Sequence, residues 1–198
     1  VNFGTLMSVL IYFRKRIISL IRAVFVAEMK KERRMIIFLF WGTLPAVIAG
    51  VLFKDFFEAT FSSPIMTSIF LMITGLILLL TALIRYNDLD INIPRSLIVG
   101  IGQAIAIFPG ISRSGTTISA GLFAGLKPSE AAEFSFLLSI PAIAGAIIFK
   151  LNDFRDLGIE NIGAYALGAG LSFVFGIIAV YLLLDLVKKG KFKYFGIY

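Results

Sequence analysis

The chain has 198 residues, of which 59% are hydrophobic and 16% charged, and a formal net charge of +7. Soluble domains are about half apolar and about a quarter charged, so this is a polytopic membrane protein whose lysines and arginines belong to membrane-flanking loops, not to a nucleic-acid surface. Cysteine and histidine are both absent, which excludes disulfides, thiolate metal sites and the commonest general base.

Val1–Phe13 is apolar but shorter than the roughly 20 residues that span a bilayer. It reads as the end of a helix whose beginning lies upstream, so a fragment is expected. No signal peptide is recognisable. Arg14–Arg34 carries eight Lys/Arg against Glu28 and Glu32, and by the positive-inside rule it is cytoplasmic. Within it, Ile17–Ala27 either extends the helix or lies along the interface. Met35–Phe53 is the first complete span, with Pro45 a candidate kink and Trp41 near the inner interface. Lys54–Pro64 is a short outer loop. Ile65–Ile84 returns inward to the polar stretch Arg85–Arg95, whose Asp88 and Asp90 read as solvated loop charges.

Ser96–Leu126 is apolar enough for a membrane but is broken in its middle. Pro109 lacks a backbone donor and Gly110 tolerates unusual φ values. Two half-helices, about Pro94–Phe108 and Ser114–Gly125, are predicted to meet at a polar tip. Non-helical backbone persists at membrane depth only where protein buries it or a wet cavity adjoins it. Arg113 is the single ionisable residue of the stretch; a charge at mid-bilayer costs roughly 2.5–3.5 kcal/mol on insertion scales and marks a functional site. The free N–H groups at the start of the second half-helix favour an anion. Arg113 adds a planar fork suited to phosphate, and Ser112, Ser114, Thr116 and Thr117 add hydroxyls. The glycines Gly121 and Gly125, and the stripe Gly102, Ala106 and Gly110, fit close helix packing equally well.

Lys127-Pro128 opens the next helix. Glu130 and Glu133 fall in its first turns, where the dipole favours acids, and Glu133 is placed to pair with a buried base. Glu130–Phe149 is predicted to span, with Pro141 inside it. Lys150–Glu160 is an outer loop and Ile162–Val187 the last span. Lys188, Lys189, Lys191 and Lys193 place the C-terminus in the cytoplasm. With Arg85–Arg95 and Lys127 both cytoplasmic, Ser96–Leu126 must enter and leave on one side, as a re-entrant hairpin. Phe38–Lys54 and Phe134–Lys150 align without a gap, but both run in one direction and so give no inverted repeat.

The stretch Pro109-Gly110-Ile111-Ser112-Arg113-Ser114-Gly115-Thr116-Thr117 resembles the P-G-x-S-R-S-G-x-T signature of the undecaprenyl-pyrophosphate phosphatases, the bacitracin-resistance phosphatases. Ala131–Pro141 is similar to the family's next helix, and Val9–Arg16 and Ala46–Asp55 match in style and order. The resemblance implies an all-α fold of transmembrane helices around a re-entrant hairpin, organised as an inverted repeat. The partner hairpin would precede Val1. The whole of 1–198 then forms a single integral membrane domain in the plasma membrane. The implied reaction is hydrolysis of a polyprenyl diphosphate to the monophosphate, which recycles the lipid carrier for peptidoglycan synthesis.

The same resemblance assigns catalysis to Arg113 and Ser112, and diphosphate binding to Gly110, Ser114, Gly115 and Thr117. It implies a divalent cation, Mg or Ca, although the family's N-terminal glutamate pair and P-V-S-S-T-G-H tip are absent here. This chain therefore supplies no metal ligand of its own, and alone it is expected to lack activity. The partners implied are the polyprenyl diphosphate lipid and the bilayer, with no nucleic acid; a homodimer is left open. The residues by themselves also allow a transporter or channel with an anion site at a broken helix, or a purely structural membrane module.

Overall fold

The computed structural model describes residues 2–53, 56–57, 60, 63–84, 88–149 and 162–196. Among these the regular structure is helical: α1 (Asn2–Tyr12), α2 (Arg14–Phe25), α3 (Lys30–Leu52), α4 (Pro64–Leu80), α5 (Ile93–Ile105), α6 (Arg113–Phe123), α7 (Pro128–Phe149) and α8 (Ile162–Lys188). Short 3₁₀ turns at Thr81–Leu83 and Phe192–Gly196 follow α4 and α8.

Four helices are long and apolar enough to cross a membrane: Lys30–Leu52, Pro64–Leu83, Pro128–Ile148 and Tyr165–Lys188. They coincide with the four predicted spans, shifted by a few residues at their ends. The largest shift is in α3, which begins at Lys30 and not Met35, because Lys, Glu and Arg are good helix formers and carry the helix past the apolar boundary. Pro45 and Pro141 both lie inside continuous helices. The predicted loop Lys150–Glu160 lies outside the described residues.

The helix starts follow capping chemistry. The Ser63 hydroxyl accepts from the Met66 N–H at 3.3 Å, ahead of Pro64 at the first helical position. Asn92 Oδ1 accepts from the Arg95 N–H at 3.0 Å. Each cap satisfies a donor that has no partner within its helix. α6 ends in a Schellman turn, in which Gly125 takes φ +84° and the Leu126 N–H reaches the Gly121 carbonyl at 3.0 Å.

Small residues set the helix crossings. A Cβ on Gly100 would collide with the Gly42 carbonyl, and Gly50 faces Ile107 further along, so α3 and α5 run parallel in close contact. Gly4 lies against Ala169 and Ser172, and Ser8 against Gly176. α1 therefore runs parallel to α8, and basic α2 shares an end of the bundle with the lysines after α8. α7 is the central span: half of its apolar window is buried, against 6% for α3 and 11% for α8. Arg16 Nε donates to Glu133 Oε1 at 2.7 Å and its Nη1 lies 3.7 Å from Glu32 Oε1, tying α2 to α7 and α3. Glu133 thus pairs with a base, but a partly exposed one and not the buried base its depth allowed.

α5 and α6 form an antiparallel helical hairpin. Its open end is closed by the Leu89–Leu126 bridge and by the Leu89 N–H on the Gly125 carbonyl at 3.0 Å. Arg95 adds bonds to the Ala124 and Asp90 carbonyls at 3.3 and 2.7 Å. The first limb stops at Ile105, short of the predicted Phe108, because residues 106–110 already turn toward the Pro-Gly break. The second starts one residue earlier than predicted, at Arg113.

Candidate active site at the elbow of the hairpin

The elbow is held by packing and by one hydroxyl. The Phe108 ring lies 4.8 Å from Phe57, 5.9 Å from Phe56 and 4.8 Å from Phe70, measured between centroids. Such aromatic contacts contribute about 0.5–1.5 kcal/mol each beyond area burial. Gly110 adopts φ +91°, and a Cβ there would run into the Thr67 carbonyl of α4. Both facts require glycine.

Thr74, halfway along α4, then clamps the chain on either side of Ile111. Its Oγ1 accepts the Ser112 N–H at 3.1 Å and sits 3.3 Å from the Gly110 carbonyl and 3.1 Å from the Phe70 carbonyl, to which it donates. A threonine in an apolar helix ordinarily bonds its own backbone, so sequence reasoning passed over Thr74. Nothing local distinguishes it from Thr43, which bonds the Leu39 carbonyl.

From this clamp α6 begins. Ser112 is its N-cap: the side-chain oxygen accepts the Gly115 N–H at 3.2 Å, and its carbonyl accepts the Thr116 N–H at 2.8 Å. The Ser112 O–H is left to donate. Among the described residues no backbone acceptor faces the amides of Arg113 and Ser114, and the Ser114 hydroxyl is likewise without a hydrogen bond. Gly115 is buried against Ser112 and Leu78. Thr117 points away from the opening. It is 0% exposed, donates to the Arg113 carbonyl at 2.7 Å and pairs with the Ser135 hydroxyl of α7.

The described half-buried arginines are Arg16, Arg95 and Arg113. Arg16 is held by two glutamates and Arg95 by two carbonyls. Arg113 has neither an ion pair nor a side-chain hydrogen bond among the described residues. A guanidinium presents five donors, and withdrawing such a group from water without a partner is costly. The position therefore suits an anion.

Gln103 is a further residue that sequence reasoning missed, although a lone amide in an apolar helix is a readable signal. It is 3% exposed, and neither amide atom has a partner among the described residues. It lies on α5 between the face of Gly102, against Ala120, and that of Gly100, against Gly42.

A cleft of about 640 Å³ opens beside the elbow. Ser112, Ser114 and Gly115 line one end, and Leu71, Leu76, Leu183, Phe192 and Phe195 form apolar walls. Gly196 of the C-terminal turn presses on Gly75, where an added Cβ would meet the Gly75 carbonyl at 2.7 Å. This contact closes one side of the cleft. The donor set at the elbow does not fit a divalent cation, which takes oxygen anions. Among the described residues no three Asp or Glu side chains stand together.

Fold and sequence define a multi-pass helical membrane protein with a helix start at a break in an apolar hairpin. The family model described as bacitracin resistance protein BacA matches residues 1–198. The chain is 38% identical over 198 residues to the undecaprenyl-diphosphatase of Elusimicrobium minutum, covering all of this chain and 76% of that protein. It is 45% identical over 164 residues to the undecaprenyl-diphosphatase of Methanothermobacter thermautotrophicus, covering 79% of this chain and 90% of that one. With the undecaprenyl-diphosphatase of Methanococcus maripaludis strain C6 it shares 38% over 203 residues, all of this chain and 78% of that protein. The chain belongs to the BacA family, the one that its Pro109–Thr117 motif resembles.

Proposed function

We propose that the protein hydrolyses undecaprenyl diphosphate to undecaprenyl monophosphate and phosphate, with the terminal phosphate held at the start of α6. Water adds to the terminal phosphorus, the bridging P–O bond breaks, and the lipid monophosphate departs with the bridging oxygen. The observation that carries this reading is Arg113: half-buried, unpaired among the described residues, and seated on a helix start. Phosphoryl transfer is served chiefly by positioning and by neutralising non-bridging oxygens. Arg113 supplies a bidentate clamp. The amides of Arg113 and Ser114, with the Ser112 and Ser114 hydroxyls, supply further donors. Gly110 lets the elbow approach α4, and Gly115 leaves room beside the cap. Thr117 orients this first turn from below through Ser135.

In this reading α5 and α6 are a re-entrant hairpin, because both of its ends are tied together at Leu89, Arg95 and Leu126. Basic α2 and Lys188, Lys189 and Lys191 mark the cytoplasmic end. The prenyl chain lies in the apolar cleft that leads from Ser112 and Ser114 between α4 and the C-terminal turn. The described residues offer no ligand set for a divalent cation. Activity of the full-length gene product with undecaprenyl diphosphate in detergent, measured as phosphate release, is expected to be saturable. Vesicles reconstituted with the protein are expected to show no accelerated anion flux. Flux without hydrolysis would replace the enzyme reading by a transport one.

A further inference from the structure

We infer that α2 and the cleft at its start bind an acidic phospholipid of the membrane, at a site separate from Arg113. α2 has three faces when its residues are placed at 100° intervals. Arg16, Ser19, Leu20 and Ala23 face the bundle, with Leu20 and Ala23 buried. Ile18, Ile21, Val24 and Phe25 form an apolar side that protein leaves uncovered, Phe25 being 84% exposed. Lys15 and Arg22 stand together on the third side. A helix with one face on protein, one apolar face open and a basic strip between them is built to lie in a headgroup layer.

The basic residues divide by occupation. Arg16 is engaged by Glu133 and Glu32. Arg33 donates to the Ala23 and Val24 carbonyls at 3.0 and 3.4 Å, capping α2 and fixing it to the foot of α3. Arg14, Lys15 and Arg22 have no partner among the described residues. At the α1–α2 junction two of these three reach a cleft of about 280 Å³, lined by Ile11, Tyr12, Arg14, Lys15 and Ile177. Two cations beside aliphatic walls from α1 and α8 match a lipid phosphate joined to an acyl chain. Charge complementarity selects the acidic lipid over a zwitterionic one, since juxtamembrane basic residues attract anionic headgroups.

The test uses the purified protein in detergent with equal amounts of phosphatidylglycerol and phosphatidylcholine of matched chains, read by native mass spectrometry. The wild type is expected to retain phosphatidylglycerol preferentially. The Arg14→Ser/Lys15→Ser variant is expected to lose about thirtyfold in that retention, from the contribution of two basic groups near a membrane surface. Ile177→Trp, which fills the cleft and keeps both charges, is expected to lose it too. Arg14→Lys/Lys15→Arg is expected to keep it, which separates charge loss from misfolding. Equal retention of the two lipids by the wild type, or undiminished phosphatidylglycerol on the double serine variant, overturns the inference. Hydrolysis at Arg113 is a separate readout and decides nothing about this site.

Discussion

Thr74 and Ser112 are joined across the interface of α4 and the hairpin: the Ser112 N–H donates to Thr74 Oγ1 at 3.1 Å. That one hydroxyl also faces the Gly110 carbonyl, so it fixes the residue that caps α6 and the glycine that precedes it. Thr74→Val keeps the shape and removes the acceptor. A buried N–H left unsatisfied costs about 1–3 kcal/mol, and the cap then shifts relative to α4. The expected outcome is a lower melting temperature in detergent and a fall of about tenfold in kcat for undecaprenyl diphosphate, with Thr74→Ser near wild type. Equal loss in both variants would assign the site to packing of the threonine methyl.

Gly110→Ala is expected to be worse than its size suggests. The new Cβ meets the Thr67 carbonyl, and φ +91° is itself unfavourable for alanine. Neither strain is relieved without moving the elbow away from α4, which would also pull Phe108 from its three aromatic neighbours. The expected result is a destabilised protein with weakened substrate binding, seen as a raised KM and a lower melting temperature. Gly125→Asn, at the other positive φ of the hairpin, should be tolerated better, because asparagine accepts that conformation at a helix end.

Glu133→Gln tests whether the acid of α7 is structural. Its partner Arg16 lies 2.7 Å away, but both side chains are about a third exposed, so the pair contributes about 0–1 kcal/mol. A small drop in melting temperature with unchanged kcat/KM is expected. A large loss of kcat with normal stability would move Glu133 into the chemistry. Ser119→Ala, further along α6 than the elbow, is a control and should change turnover little.

The division into helices was legible because it rests on local chemistry. Pro109-Gly110 announced the elbow, whereas the capping roles of Ser63, Asn92 and Ser112 emerge only from the structure. Unbroken apolar runs marked the four long helices. The end of α1 at Phe13 was legible from the basic run that follows, but the course of α2 was not: Phe13 has φ −92° and ψ 14° without proline or glycine, so α2 read as either an extension of α1 or an interfacial segment. At the site, Arg113 stood out as a lone charge in an apolar stretch. The inward turn of Thr117 toward Ser135 did not, because the direction of a hydroxyl depends on which neighbour packs there. Thr74 was invisible for the same reason; its meaning comes from chain segments that meet only after folding.

The most direct test of the account is the arginine itself. Steady-state phosphate release from undecaprenyl diphosphate by the purified full-length gene product carrying Arg113→Ala or Arg113→Lys, each checked for wild-type melting in detergent, measures what the guanidinium contributes. By analogy with removed oxyanion donors the alanine variant should lose on the order of 10²–10³ in rate. Lysine should fail nearly as badly, because an ammonium lacks the planar two-pronged geometry. Near-normal turnover by a well-folded Arg113→Ala protein would contradict the account and return the hairpin to a packing role.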